Sequence, residues 1–241
     1  MSVTPPLPPS LPSFPEGFRA LVIGASGGIG AGFMRALAAD PRCAAVVGLH
    51  RRSQPAIDFD DEASIGQAAT ALAGQGRFDL IINAVGVLHA DGAMPEKKLG
   101  DLNYAQLLAT FRANTFGPAL LLRHFSPLLA RERGVLALLS AKVGSIGDNR
   151  LGGWYSYRAS KAALNMLLKT AAIELKRSQP QAVLVALHPG TVASALSRPF
   201  KGDAIGRPAD QAASEMLQAL DALTPEDSGS FVAYDGQRLA W

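Results

Sequence analysis

The sequence predicts an α/β fold: a single domain built on a doubly wound parallel sheet with helices on both faces. Three observations predict it. Short apolar segments alternate with longer helical patterns from residue 18 onward. Those segments are apolar throughout, without the polar alternate positions of a half-exposed strand, as expected when both faces of a sheet are covered. The first of them runs into a glycine-rich turn that opens a helix.

The elements follow in order. "FRALVIG" is a β-rich run ending in glycine, and "IGAGFMRALAAD" is the helix after it. "AAVVGLH" is a second strand, "DEASIGQAATALAG" a helix opened by acidic residues, and "FDLIINAVG" a third strand that again ends at glycine. A long helical stretch over about Asn103 to Arg133 is interrupted at Gly117-Pro118, where a kink or break is expected. "GVLALLS", a glycine-rich loop to Gly153 and the helix containing Tyr157 come next. They are followed by the strand "AVLVALHPG", the helix "PADQAASEMLQAL" and the short strand "SGSFVAYDG". No repeat and no internal linker is visible, so residues 18–241 read as one domain.

Composition narrows the classes. The 241 residues are 48% hydrophobic and 18% charged, enough for a sizeable core. A net charge of +3 is too mild to imply a nucleic-acid partner. Cys43 is the only cysteine, so neither a disulfide nor a cysteine metal site is available, and no metal is expected. Residues 1–17, with six prolines, read as an extended or disordered arm and lack the basic and apolar regions of a secretory signal. No apolar run approaches the roughly 18 residues of a membrane span. A cytoplasmic protein is expected.

The turn Gly24-Ala25-Ser26-Gly27-Gly28-Ile29-Gly30 lies between the first strand and the first helix. Glycines there let the backbone turn tightly and approach a diphosphate whose charge meets the helix N-terminus. Gly24, Ser26, Gly28, Ile29 and Gly30 are therefore cofactor-binding candidates in a Rossmann-type fold, although their spacing differs from the better-known G-x-G-x-x-G. The second strand should end beside the adenosine ribose, where a carboxylate suits NAD and an arginine suits a 2′-phosphate. Here the tip reads His50-Arg51-Arg52, with no carboxylate. NADP is favoured over NAD, with Arg51 as its anchor; the plainer reading is a pair of solvated arginines. Asp58, with Phe59, is placed near the adenine. Asn83, Ala84 and Gly86 bring small residues and backbone against the adenosine ribose.

"YSYRASKAALN" sets Tyr157 and Lys161 four residues apart, on one face of a helix. A phenol has a reference pKa of about 10, and lowering it by three units takes about 4 kcal/mol of differential interaction. A partly buried ammonium together with a cofactor charge could supply this, and a solvated lysine could not. In isolation such a pair is usually an ordinary surface pair.

With the glycine turn, Asn83-Ala84-x-Gly86 and Pro189-Gly190 in this order, the chain resembles the short-chain dehydrogenase/reductase family over about residues 18 to 241. "GSIGDNRLGGWYSYRASKAALN" and "YDGQRLAW" look closest to its branch of C-factor-like proteins and sniffer-type carbonyl reductases. The resemblance implies hydride transfer between a nicotinamide and a carbonyl or alcohol. Tyr157 would then be the general acid or base. Lys161 would tune it and hold the nicotinamide ribose, and Asn114 of "RANTFGP" would hold a relay water.

The family's carbonyl-orienting serine is where this chain departs from pattern. It is often the second residue of a Ser-Ser pair, and here that pair reads Ser140-Ala141. Ser140 is favoured because strand ends are rigid, with Ser145 as the other candidate. After Pro189 and Gly190, Val192 and Ser194 are implied contacts to the cofactor carboxamide. His188 reads as a core histidine at a strand end. "ALSRPFKGDAIGRP" has the composition of a mobile lid, and Trp154 and Leu151 are placed on an apolar substrate wall.

The resemblance also implies homodimers or homotetramers formed through the long helices. A protein that binds NAD(P) and signals, with little turnover, is the alternative to an NADP-dependent reductase. An epimerase is disfavoured, because only about 50 residues follow Pro189-Gly190.

Overall fold

The computed structural model describes residues 10–89 and 94–241. Six parallel strands form one sheet: β1 Phe18–Ile23, β2 Cys43–Leu49, β3 Leu80–Asn83, β4 Val135–Leu139, β5 Val183–His188 and β6 Ser230–Ala233. Their order is β2-β1-β3-β4-β5-β6. The chain steps one way from β1 to β2 and the other way from β3, so the C-terminal ends of β1 and β3 flank the point where the winding reverses. Ligands of such sheets bind in the crevice that opens there. Strands β3 and β4 are buried at every residue, which is why β4 reads as an unbroken apolar run and β3 as one up to its terminal Asn83.

The described residues form seven α-helices: α1 Gly28–Ala39, α2 Glu62–Ala73, α3 Tyr104–Phe111, α4 Gly117–Phe125, α5 Tyr155–Leu175, α6 Gly202–Ile205 and α7 Ala209–Asp221. Phe33 and Leu37 of α1 and Met216, Leu217 and Leu220 of α7 close one face of the sheet. Ile65 and Leu72 of α2, Leu121 and Phe125 of α4 and Leu164 and Leu168 of α5 close the other. The fold class is therefore the one the sequence predicts. Among the described residues no helix is long and apolar enough to cross a membrane.

Two expectations about element boundaries need correction. Residues 1–9 of the proline-rich arm lie outside the described residues, but the rest of it is packed chain. Leu11 and Phe14 are fully buried in the α1/α7 layer. Arg42 donates to the carbonyl oxygens of both, at 3.1 and 2.7 Å, and the Arg133 guanidinium lies 4.3 Å from the Phe14 ring centre. The packed domain thus begins before residue 18, because two apolar side chains among the prolines cover the end of the core. The long helical stretch expected to residue 133 ends by Leu128. Its irregularity is also not a break at Gly117-Pro118. It is a π-helical segment over Arg112–Phe116 that runs directly into α4, with Pro118, which has no N–H to give to the ladder, immediately after it.

Candidate active site

The glycine turn is held by its own backbone. Gly24 has φ +85° and accepts from the Gly27 N–H at 3.0 Å. A Cβ on Gly30 would lie 2.1 Å from the Gly24 oxygen, so only glycine allows α1 to begin so close under the turn. The helix has no side-chain cap, which leaves its first N–H groups for an incoming anion. Above the turn is a cavity of about 330 Å³ lined by Gly24, Ser26, His50, Arg51, Asp58, Phe59, Ala84 and Gly86. Seven of the sequence-derived cofactor candidates thus share one wall. Arg51 is exposed at its edge. Asp58 accepts from the Asp60 N–H at 3.1 Å, and the Phe59 ring lies over Gly117, where a Cβ would meet it at 2.2 Å.

A second cavity, of about 320 Å³, is lined by Ile29, Ser140, Ala141, Trp154, Tyr157, His188, Pro189, Gly190, Val192, Ser194 and Phe200. The two cavities adjoin. A Cβ on Gly28 would sit 3.6 Å from Ser194 Cβ. One on Gly86 would sit 3.4 Å from both Asn114 Oδ1 and Lys161 Nζ. Gly28, Gly30, Asn83, Asn114 and Lys161 line neither cavity and form the floor beneath them. Asn83 is buried at the end of β3, its Oδ1 accepting from Val85 N–H at 3.1 Å and its Nδ2 without a partner in this structure. A glycine-cradled, carboxylate-free tip, an open helix N-terminus and an orphaned buried amide together fit a dinucleotide.

Tyr157 and Lys161 stand on the first turns of α5. Lys161 is buried and donates from Nζ to the Leu139 carbonyl oxygen at 2.9 Å, with Nζ 5.9 Å from the Tyr157 ring centre. Burial pushes the Tyr157 phenol up to about 12 and pulls the Lys161 ammonium down to about 7. The residue spacing predicts a lysine that lowers the phenol's pKa. Without a ligand the reverse holds, because desolvation of each charged form outweighs their mutual attraction.

Asn114 is fully buried in the π-helical segment. Its Oδ1 accepts from Val87 N–H at 2.9 Å, and its Nδ2 donates to Val87 O at 2.8 Å and Ser160 Oγ at 3.1 Å. Inserting one residue into the helical ladder is a common way to aim a side chain at a functional site.

Of the two serine candidates, Ser140 lines the Tyr157 cavity and Ser145 does not. The Ser140 hydroxyl donates to Asn165 Oδ1 at 2.7 Å. Ser145 Oγ accepts from the Asp148 N–H at 3.2 Å, on the far side of the 142–144 turn. Leu151 is 92% exposed and forms no substrate wall, contrary to expectation, since the loop carries it outward. Trp154 does line the cavity, packing against Phe200 with ring centres 5.0 Å apart and edge-on to Tyr157 at 6.2 Å.

One contributor had no visible signal in the sequence. Glu96 is buried, accepts from the Ser156 N–H at 3.2 Å and from the Ser156 hydroxyl, and so caps α5 from a distant loop. The residues before that helix cannot cap it, because Gly152, Gly153 and Trp154 are all left-handed, with φ of 62°, 63° and 54°.

Comparison with known proteins agrees with this geometry. The chain is 34% identical over 189 residues to the 1-hydroxy-2-glutathionyl-2-methyl-3-butene dehydrogenase of Rhodococcus sp. (strain AD45), covering 78% of this chain and 80% of that protein. It is 39% identical over 171 residues to the C-signal of Myxococcus xanthus, covering 69% and 94%. An NADPH-bound carbonyl reductase from chicken fatty liver superposes with a TM-score of 0.81 at 26% identity, covering 95% of this chain and 96% of that one. The carbonyl reductase Sniffer of D. melanogaster shares the fold with a TM-score of 0.79 at 24% identity, covering 92% and 99%. The short chain dehydrogenase family model matches residues 19–204, a span that takes in the glycine turn, Asn114, Tyr157, Lys161 and Pro189-Gly190, and the chain belongs to this family of oxidoreductases.

Proposed function

We propose that the protein is an NADPH-dependent reductase of a carbonyl compound, working reversibly as an alcohol dehydrogenase. The observation that carries this reading is the position of Tyr157 in a cavity that adjoins the glycine-cradled one, with Lys161 and Asn114 beneath the junction. Gly24, Ser26, Gly28, Ile29, Gly30, Asp58, Phe59, Asn83, Ala84, Gly86, Pro189, Gly190, Val192 and Ser194 are the residues that would hold the cofactor. Arg51 would favour a 2′-phosphate, since a guanidinium matches phosphate geometry and the strand tip offers no carboxylate for a ribose hydroxyl.

A bound nicotinamide cofactor supplies the hydride and, when oxidised, a positive charge. Tyr157 keeps its proton at neutral pH, as the acid in a reduction must, and gives it to the nascent alkoxide. Lys161 titrates near neutrality and so can return a proton to the phenolate. Trp154 and Phe200 roof the cavity and keep water from the reacting carbonyl. The exposed apolar side chains Met166, Leu167 and Ile173 on α5 support assembly into homodimers or homotetramers through that helix.

Tyr157→Phe tests the reading. NADPH oxidation with a panel of aldehydes, ketones and quinones should fall by about 10²-fold or more, the usual contribution of a positioned acid, while NADPH binding stays near wild type. Undiminished turnover removes the proposed acid. The likeness to the C-signal supports a second reading, a cofactor-binding signalling protein. That reading gains if the wild type binds NADPH but reduces no member of the panel.

A further inference from the structure

The Tyr157 cavity lacks a free hydroxyl where the family's pattern has its second serine. Ala141 occupies that position, and Ser140 spends its single proton on Asn165. A carbonyl polarised for hydride attack needs a second donor besides the phenol. His188, at the end of β5, lines the same cavity wall as Ser140, Ala141 and Tyr157. Its ring is fixed in one tautomer. Nδ1 accepts from the backbone N–H of Lys142 at 3.2 Å, so the ring proton is on Nε2. Among the described residues Nε2 has no hydrogen-bond partner.

We infer that His188 donates from Nε2–H to the substrate oxygen, taking the place of the absent serine beside Tyr157. The inference rests on the reductase reading and adds a catalytic residue to it. The imidazole is suited to this work because it is neutral. Burial and the cations Lys142 and Arg207 pull its pKa down to about 4, against a smaller opposing effect of Asp235. A neutral imidazole polarises a carbonyl without giving up its proton, whereas an imidazolium beside Lys142 would be costly. The strand end that holds it is rigid: the backbone oxygen of His188 accepts from Tyr234 N–H at 2.9 Å, and β5 pairs with β4 on one side and β6 on the other.

Two measurements test this. In the wild type, nitrogen-15 NMR of labelled histidine should show one imidazole that stays neutral, with its proton on Nε2, down to pH 5. A signal assigned to His188 that is protonated at pH 6, or protonated on Nδ1, overturns the inference without reference to turnover. For catalysis, with the carbonyl reduced fastest by the wild type, His188→Leu should lower kcat by about 10²-fold, the usual effect of losing one preorganised donor, with the KM for NADPH unchanged. His188→Gln, which keeps an N–H near the Nε2 position, should recover most of that loss. Wild-type turnover in His188→Leu, or no recovery in a folded His188→Gln, overturns the assignment. Turnover that survives Tyr157→Phe would instead bring down the reductase reading itself.

Discussion

Replacing Lys161 by methionine should remove a pH dependence from the stability of the cofactor-free protein. The ammonium is buried, with the Leu139 carbonyl as its hydrogen-bond partner, and its pKa falls from an ordinary value near 10.5 to about 7. A group whose folded pKa is depressed contributes stability that is present above the unfolded pKa and lost as pH falls toward the folded one. Between pH 10.5 and pH 7 the unfolded chain binds the proton that the folded protein resists. A shift of this size corresponds to about 5 kcal/mol across the whole window, at 1.36 kcal/mol per unit. Between pH 7 and pH 9 the linkage integral gives roughly 2 kcal/mol of gained stability. Tyr157 acts in the opposite sense only above its unfolded value of about 10, so pH 7 to 9 isolates the lysine. Urea unfolding of wild type and Lys161→Met at pH 7, 8 and 9 would read the difference. The wild type should gain relative to the variant by about 2 kcal/mol over that range. The variant should be no less stable at pH 7, although it leaves the Leu139 oxygen unpaired, because loss of one such bond costs only about 1–3 kcal/mol. Parallel stability curves for the two proteins would show that Lys161 carries its charge in the folded state without penalty, and the argument from burial would fail.

Two further predictions concern the cofactor end. Arg51→Ala should raise the KM for NADPH by about tenfold, the worth of one charge-assisted contact to phosphate, and leave that for NADH nearly unchanged; steady-state kinetics with both cofactors decide it, and an unaltered ratio makes Arg51 a solvated charge. Gly30→Ala places a Cβ 2.1 Å from the Gly24 oxygen and must push the turn off α1. Fluorescence titration should show NADPH affinity lost by about tenfold or more, and a thermal melt should show lower stability; wild-type values for both would mean the turn is not held as described.

Much of this architecture could be read from residues alone because local and global signals agree. Strand β4 is apolar at every position and β3 up to Asn83, and both are buried throughout. Gly24 and Gly30 announce a turn that nothing with a side chain could make. Tyr157 and Lys161 share a helix face by spacing. What could not be read depends on contacts between distant segments. Glu96 caps α5 across 60 residues of chain. Leu11 and Phe14 looked like parts of a proline-rich arm until Arg42 and Arg133 bound them to the core. His188 looked like core because a strand-end position says nothing of which ring nitrogen a neighbouring turn will engage.

The departures from the sequence reading gather around Tyr157, and their energetics explain why. Trp154 holds a left-handed backbone that costs a non-glycine residue about 1–2 kcal/mol. The π-helical segment interrupts a ladder that a plain helix would have satisfied. Lys161 is desolvated, and Asn83 and Asn165 each keep a buried amide nitrogen without a partner. None of these features helps the chain fold. Each lies in or next to the Tyr157 cavity: Trp154 lines it, Asn165 accepts from the Ser140 hydroxyl in its wall, and Lys161 stands one turn along α5 from Tyr157. The surrounding sheet, apolar on both faces and closed by α1 and α7 on one side and α2, α4 and α5 on the other, holds them there. Sequence patterns report what lowers the energy of the fold, so they describe the sheet well and fall silent where local structure departs from them, as it does around Tyr157. Trp154, Lys161 and the 112–116 segment are for that reason the places where a stabilising substitution should cost activity.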